Sequence, residues 1–162
     1  GGVNGISDAS DLMTLEGLPL FKPPYFRVSA IDMSAGSQLW MSPIGNGPRQ
    51  HPLFRELNLP PLGGDYHRGS VMVTKTLLFV SMSAMHSQGV PQRAAWAEWA
   101  DPDDELVLFY VFDKQSGNLL HTMKLDGFSA AAPMTYEYKG RQYLIIATGS
   151  GLDSALVALS LG

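Results

Sequence analysis

The stretch "AIDMSAGSQLW", residues 30–40, ends an apolar, extended run on Asp32, places Gly36 after it and reaches Trp40 in a second extended run. A looser copy, "VFDKQSGNLLH", occupies residues 111–121. Aligning the two puts Asp32 on Asp113, Gly36 on Gly117 and Trp40 on His121. Each copy reads as strand, aspartate, glycine-containing turn, strand. The aspartate at the strand end can accept hydrogen bonds from the turn amides. The glycine supplies the positive φ that reverses the chain. A large side chain in the following strand can cover the turn, so Trp40 is expected over its own turn. At His121 that contact is expected to be weakened or rebuilt. Repeated antiparallel units of this kind point to a propeller or an ordinary sandwich, and two copies alone do not decide between them.

Strand signals dominate the rest of the chain. Residues 25–33 and 38–44 flank the first turn, and residues 70–82 read as two short strands broken near Thr74 and Lys75. Residues 105–113, "ELVLFYVFD", have the length and β-branched or aromatic content of a buried strand. Residues 118–125 follow the turn "KQSG", residues 133–149 read as a hairpin turning at Lys139-Gly140, and residues 155–161 close the pattern. Two short helices are expected. One covers residues 51–58 and is stopped by Pro60-Pro61; the other covers residues 92–100 between Pro91 and Pro102. The second lies in a long connection, residues 83–104, whose Trp96 and Trp99 are expected to pack within the chain or at a subunit contact.

Bulk properties narrow the function classes. Of 162 residues, 45% are hydrophobic and only 16% are charged, against about 25% for typical soluble domains. A formal charge of −4 and scattered arginines argue against a nucleic-acid partner. The absence of cysteine excludes disulfides, zinc–thiolate sites and thiol catalysis. No apolar run approaches the roughly 18 residues of a transmembrane helix. The opening "GGVNGISDAS" has no basic or apolar region of a secretory signal and no initiating Met, the expectation for a processed product or a portion of a longer chain.

The repeat resembles the tryptophan-docking motif of pyrroloquinoline-quinone (PQQ) dehydrogenases. Residues 18–40, "NLPPLG" (58–63), "VTKTLLFV" (73–80) and "APMTYEYKGRQYLIIATGSG" (132–151) resemble, in order, the C-terminal part of the membrane-bound glucose-dehydrogenase branch. The closing "ALVALSLG" looks like that family's natural end. The resemblance implies an all-β fold of four-stranded antiparallel blades, with about two blades of a partial propeller present. Residues 1–17 would be an N-terminal extension and residues 18–162 the propeller portion. Within it, 25–44 would be half a blade, 69–125 a full blade with 83–104 inserted, and 133–161 three strands of a last blade. In the intact family a strand from the chain's beginning completes that blade. Exposed blade edges call for the missing blades, for a homo-oligomer, or for a different compact form.

The same resemblance implies hydride transfer from a small polyol or sugar hydroxyl to PQQ, with calcium polarising the quinone, an aspartate as base and a periplasmic location. The calcium ligands and catalytic aspartate lie mostly upstream of the matched region. No catalytic residue and no metal ligand is therefore assigned to this chain, which is not expected to be catalytically autonomous. "TGSGLDSAL" stands where the branch carries a histidine-containing "GGHGS"-like segment. The alternative is a self-associating β-module with a binding or scaffolding role.

Several other features are candidate sites. The loop "GDYHRGS" (64–70) reads as a solvated connection, or else places His67 and Arg68 near the cofactor face. His51, His67, His86 and His121 show no metal-site spacing. "DPDDE" (101–105) has alternating carboxylates, but Leu106 and Phe112 occupy the positions where a calcium loop needs glycine and glutamate. "TGSG" (148–151) follows a strand and opens no helix, so it is not a phosphate loop. Asp32, Gly36, Trp40, Asp113 and Gly117 are accordingly expected to be structural.

Overall fold

The computed structural model describes residues 14–64, 68–83, 99, 107–125, 129, 131–149 and 154–160. Among them are eleven strands and no α-helix. The chain divides into two compact units.

The first unit comprises Gly1–Arg27, Pro43–Asp65 and Gln88–Asp104. It opens on a tight hairpin, β1 (Thr14–Leu15) with β2 (Leu18–Pro19), which the sequence reading did not anticipate. Glu16 and Gly17 both take positive φ in its two-residue turn, the geometry that matches the strand twist. Backbone bonds from Tyr25 to Leu62 (2.7 Å) and from Gly64 to Ile44 (2.7 Å) tie the remaining segments together around buried Ile44 and Leu62.

Residues 51–58, expected to be helical, form successive turns instead. Phe54 N donates to His51 O and Leu57 N to Phe54 O, bonds of the tighter three-residue kind, with only Arg55 N to His51 O spanning four. His51 ties this segment to the β1–β2 turn. Its side chain is 4% exposed, and its Nδ1 accepts the Leu53 amide at 3.2 Å. Its Nε2 faces Glu16 O at 3.2 Å, which assigns the proton to Nε2. The Trp99 ring meets the imidazole edge-on with centroids 4.4 Å apart, so Trp99 packs within the chain. The other expected helix, residues 92–100, lies outside the described residues except for Trp99.

The second unit comprises Val28–Ser42, Tyr66–Ser87 and Glu105–Gly162. Strands β3 (Arg27–Asp32) and β4 (Ser37–Pro43) form a two-stranded sheet. Strands β5 (Arg68–Val73), β6 (Leu77–Ser83), β7 (Val107–Asp113) and β8 (Leu119–Lys124) form a four-stranded antiparallel meander in chain order. Strands β9 (Met134–Tyr138), β10 (Arg141–Thr148) and β11 (Ala155–Ser160) form a three-stranded antiparallel sheet with β10 central.

The meander is covered on both faces. Leu78, Phe79, Val80, Ser81 and Met82 are all buried in succession along β6, and neighbouring residues of a strand point to opposite faces. Phe79 stacks on Phe109, and Tyr110 on Phe112. The turn between β5 and β6 falls where Thr74 and Lys75 were expected to break the run. Thr74 closes it by exchanging bonds with the Leu77 backbone. The β9–β10 hairpin turns at Lys139 and Gly140 as expected, both with positive φ. Its outer face carries the stacked cross-strand pair Tyr136–Tyr143, and its inner face buries Leu144 and Ile146. Ser129 joins the two larger sheets, donating its amide to Met82 O and bridging to Thr148.

Candidate functional site

The two copies of the repeat form matching turns. Asp32 Oδ1 accepts the amides of Ser34 (2.8 Å) and Ala35 (3.1 Å), and Gly36 N returns to Asp32 O. Asp113 Oδ1 accepts the amides of Gln115 (3.1 Å) and Ser116 (2.7 Å), and Gly117 N returns to Asp113 O. Gly36 and Gly117 sit at φ 66° and 74°, the left-handed region that a side chain disfavours. The second copy adds one bond, from the Ser116 hydroxyl to Asp113 Oδ1 at 2.8 Å. Ala35 occupies the corresponding place in the first copy.

These contacts lower the Asp113 pKa from its ordinary value; the Ser116 amide contributes most, then the Ser116 hydroxyl, and the Gln115 amide adds to them. The sign of the pH effect follows. A carboxyl whose folded pKa is depressed adds stability above the unfolded value, and loses it as pH falls through the folded value. Asp113→Asn is therefore expected to flatten the acid limb of the stability curve below about pH 4, the ordinary range of an unfolded aspartate. Urea midpoints measured across that range check this; parallel curves for the two proteins contradict it.

Trp40 corrects the sequence reading. It does not cover its own turn: a Cβ built at Gly36 meets nothing within 4 Å. The indole lies on the turn of the other copy. A Cβ built at Gly117 would stand 2.5 Å from Trp40 Cδ2 and Cε3. Trp40 Nε1 donates to Lys114 O at 3.1 Å, and the Ser42 hydroxyl donates to Gly117 O. The Lys114 ammonium in turn reaches Thr74 O at 3.1 Å, and the Lys114 amide donates to Thr76 O at 2.9 Å. One copy of the repeat is thus the socket for the other. Ser42 and Lys114 were not singled out in the sequence. Ser42 had a usable signal, since it stands two positions past Trp40 and shares its strand face.

His121 occupies the position matching Trp40, but its environment differs. The β7–β8 ladder steps from Val111↔His121 to Phe112↔Leu119, leaving Leu120 as an inserted residue. Such a bulge bends the strand and re-aims side chains. His121 is exposed and lines a cavity of about 430 Å³ between the four-stranded and three-stranded sheets.

The remaining candidates stay apart from this site. His67, with Asp65, His86 and residues 101–105, lies outside the described residues. Arg68 begins β5 opposite Ser83, and its side chain lies outside them. His51 belongs to the packed cluster of the first unit. Among the described residues no three histidines or carboxylates converge where they could hold a metal ion. PQQ carries three carboxylates and would need converging cations and hydrogen-bond donors, whereas the described cavity has mostly apolar walls. The described residues therefore do not by themselves build a calcium–quinone centre.

Antiparallel sheets whose strands reverse at aspartate–glycine turns, stitched to one another by a tryptophan, define a β-propeller type of architecture. The comparisons agree with it: the glucose/ethanol/alcohol dehydrogenase β-propeller domain family matches residues 3–144. The chain belongs to this PQQ-dependent family. It is similar to the glycerol dehydrogenase large subunit of Gluconobacter thailandicus, with 29% identity over 135 residues, covering 82% of this chain and 15% of the relative. It is also similar to a probable quinate dehydrogenase (quinone) of Xanthomonas campestris pv. juglandis, 28% identical over 85% of this chain and 15% of the relative. The quinoprotein glucose dehydrogenase of Escherichia coli (strain K12) is 25% identical over 82% of this chain and 14% of its own length. The chain thus spans about 15% of the length of such relatives. No solved structure matches it. No helix among the described residues is long and apolar enough to cross a membrane.

Proposed function

We propose that this chain is a C-terminal propeller portion, or a stand-alone relative, of a PQQ-dependent dehydrogenase that oxidises a small polyol or sugar in the periplasm. In the intact protein a hydride passes from a substrate hydroxyl to PQQ, with calcium polarising the quinone. The role of this portion is structural: it holds blade against blade and supplies no catalytic aspartate or calcium ligand. The observation that carries this reading is the Trp40 indole seated on Gly117, because it assigns the repeat to stitching. Missing blades, or a second copy where the chain stands alone, would cover apolar side chains such as Met134, Tyr138 and Leu156, all more than half exposed.

The test is reconstitution. The chain is titrated with PQQ and calcium, and dye reduction is followed with glycerol, glucose and quinate. No turnover is expected from this chain alone, whereas a full-length relative under the same conditions turns over. Sustained dye reduction by this chain would overturn the structural assignment.

A further inference from the structure

The cavity between the four-stranded and three-stranded sheets, about 430 Å³, lies within the roughly 300–1,000 Å³ of small-molecule sites. Its lining divides into two kinds of group. Met72, Leu77, Val111, Met123 and Leu159 line it and are only half-buried, so apolar surface remains uncovered there. Phe79 and Phe109 also line it, but they stack on each other and are 7% and 1% exposed. These rings therefore offer little face for stacking. The uncovered walls are aliphatic and thioether groups, which adapt to a flexible chain more readily than to a flat ring.

The polar lining groups are exposed and lie mostly on one turn. Lys75 and Thr76 occupy the β5–β6 turn, and His121 stands on β8. Among the described residues, none of these three side chains has a hydrogen bond or an ion pair. All three can donate, and Lys75 carries a positive charge. A second ammonium rests on the same turn, since Lys114 Nζ donates to Thr74 O at 3.1 Å. No carboxylate lines the cavity. Asp113 stands opposite Leu77, but its Oδ1 is taken by the Gln115 and Ser116 amides. Glu137, opposite Gln142, is exposed and outside the lining. On the three-stranded sheet, Gln142 Nε2 is spent on Thr135 Oγ1, which itself donates to Tyr143 O. Unspent donors and positive charge thus gather at the β5–β6 turn, beside apolar walls.

We propose that this cavity binds a single-chain amphiphile with an anionic head, of the medium-chain alkyl carboxylate class. The tail lies among Met72, Val111, Met123 and Leu159. The carboxylate stays at the exposed rim by Lys75, where it keeps much of its hydration and accepts charge-assisted hydrogen bonds. The site does not depend on the dehydrogenase reading and involves no covalent step.

The probe is decanoate, titrated into the full chain below its micelle threshold. Methyl NMR signals of Met72, Met123 and Leu159 are expected to shift saturably, with a dissociation constant of about 1 mM or tighter. Octanoate is expected to bind about tenfold more weakly, because it buries two fewer methylenes. Decylammonium has the same tail and the opposite charge, and is expected to bind at least about fivefold more weakly than decanoate. Lys75→Gln is expected to narrow that preference, and Lys75→Arg to keep it. Leu159→Trp fills the cavity from the three-stranded sheet and is expected to block the decanoate shifts. Met123→Trp does so from the four-stranded sheet and serves if the first variant does not fold. Absent or unsaturable shifts would overturn the proposal. So would equal binding of decanoate and decylammonium, equal binding of decanoate and octanoate, or undiminished decanoate binding by either folded tryptophan variant.

Discussion

Trp40→Ala is expected to destabilise the unit that contains both copies of the repeat by about 2–4 kcal/mol. The indole is half-buried, packs on a glycine and donates to Lys114 O. Truncation removes the packing area, empties the seat over Gly117 and leaves the Lys114 carbonyl to water. Trp40→Phe separates the contributions. It keeps a ring over Gly117 but loses the Nε1 donor, and is expected to recover all but about 1 kcal/mol. Urea denaturation read by tyrosine fluorescence or far-UV circular dichroism gives both values. A Trp40→Ala midpoint equal to that of the parent would show that the indole carries no docking energy.

Gly117→Ala is expected to be still more damaging, about 3–5 kcal/mol, because two effects combine. The residue has φ 74°, where a side chain is strained, and its Cβ would stand 2.5 Å from two indole carbons. The indole would have to leave its seat. Gly36→Ala is the internal control. It has nearly the same backbone strain, φ 66°, but open space within 4 Å of the added carbon. Its loss is expected to be about 1–2 kcal/mol, the strain alone. Equal losses at the two glycines would show that Gly117 matters only for its turn. In the Trp40→Ala background the two glycine substitutions should become alike, since the steric conflict is then gone.

Much of the fold was legible because its elements are local. The Lys139-Gly140 turn, the break at Thr74 and Lys75, and the two aspartate–glycine turns each close through hydrogen bonds between residues two to five apart, and their sequence signals sit in the same few positions. The exception is residues 51–58, which form successive turns. His51 turns one ring nitrogen to the Leu53 amide and the other to Glu16, 35 positions earlier. No local pattern announces that distant partner. The β1–β2 hairpin was missed because its strands are two residues each, too short for alternation to register.

The site was less legible than the fold. Composition, turn chemistry and the ordered family motifs determined that the chain is a bladed β-protein of the PQQ-dependent family, and that Asp32, Gly36, Asp113 and Gly117 build turns. They placed the tryptophan over its own turn, although a side chain leaving a strand can cover its own turn or a neighbour's with equal local geometry. Tertiary packing decided that Trp40 seats on Gly117, with its hydrogen bond spanning 74 positions. Packing also decided that the imidazole of His121, which stands where the first copy has an indole, lines a cavity between sheets. Hydrogen bonding within a turn is specified by adjacent residues; the filling of space between sheets depends on surfaces that meet only after the strands have paired.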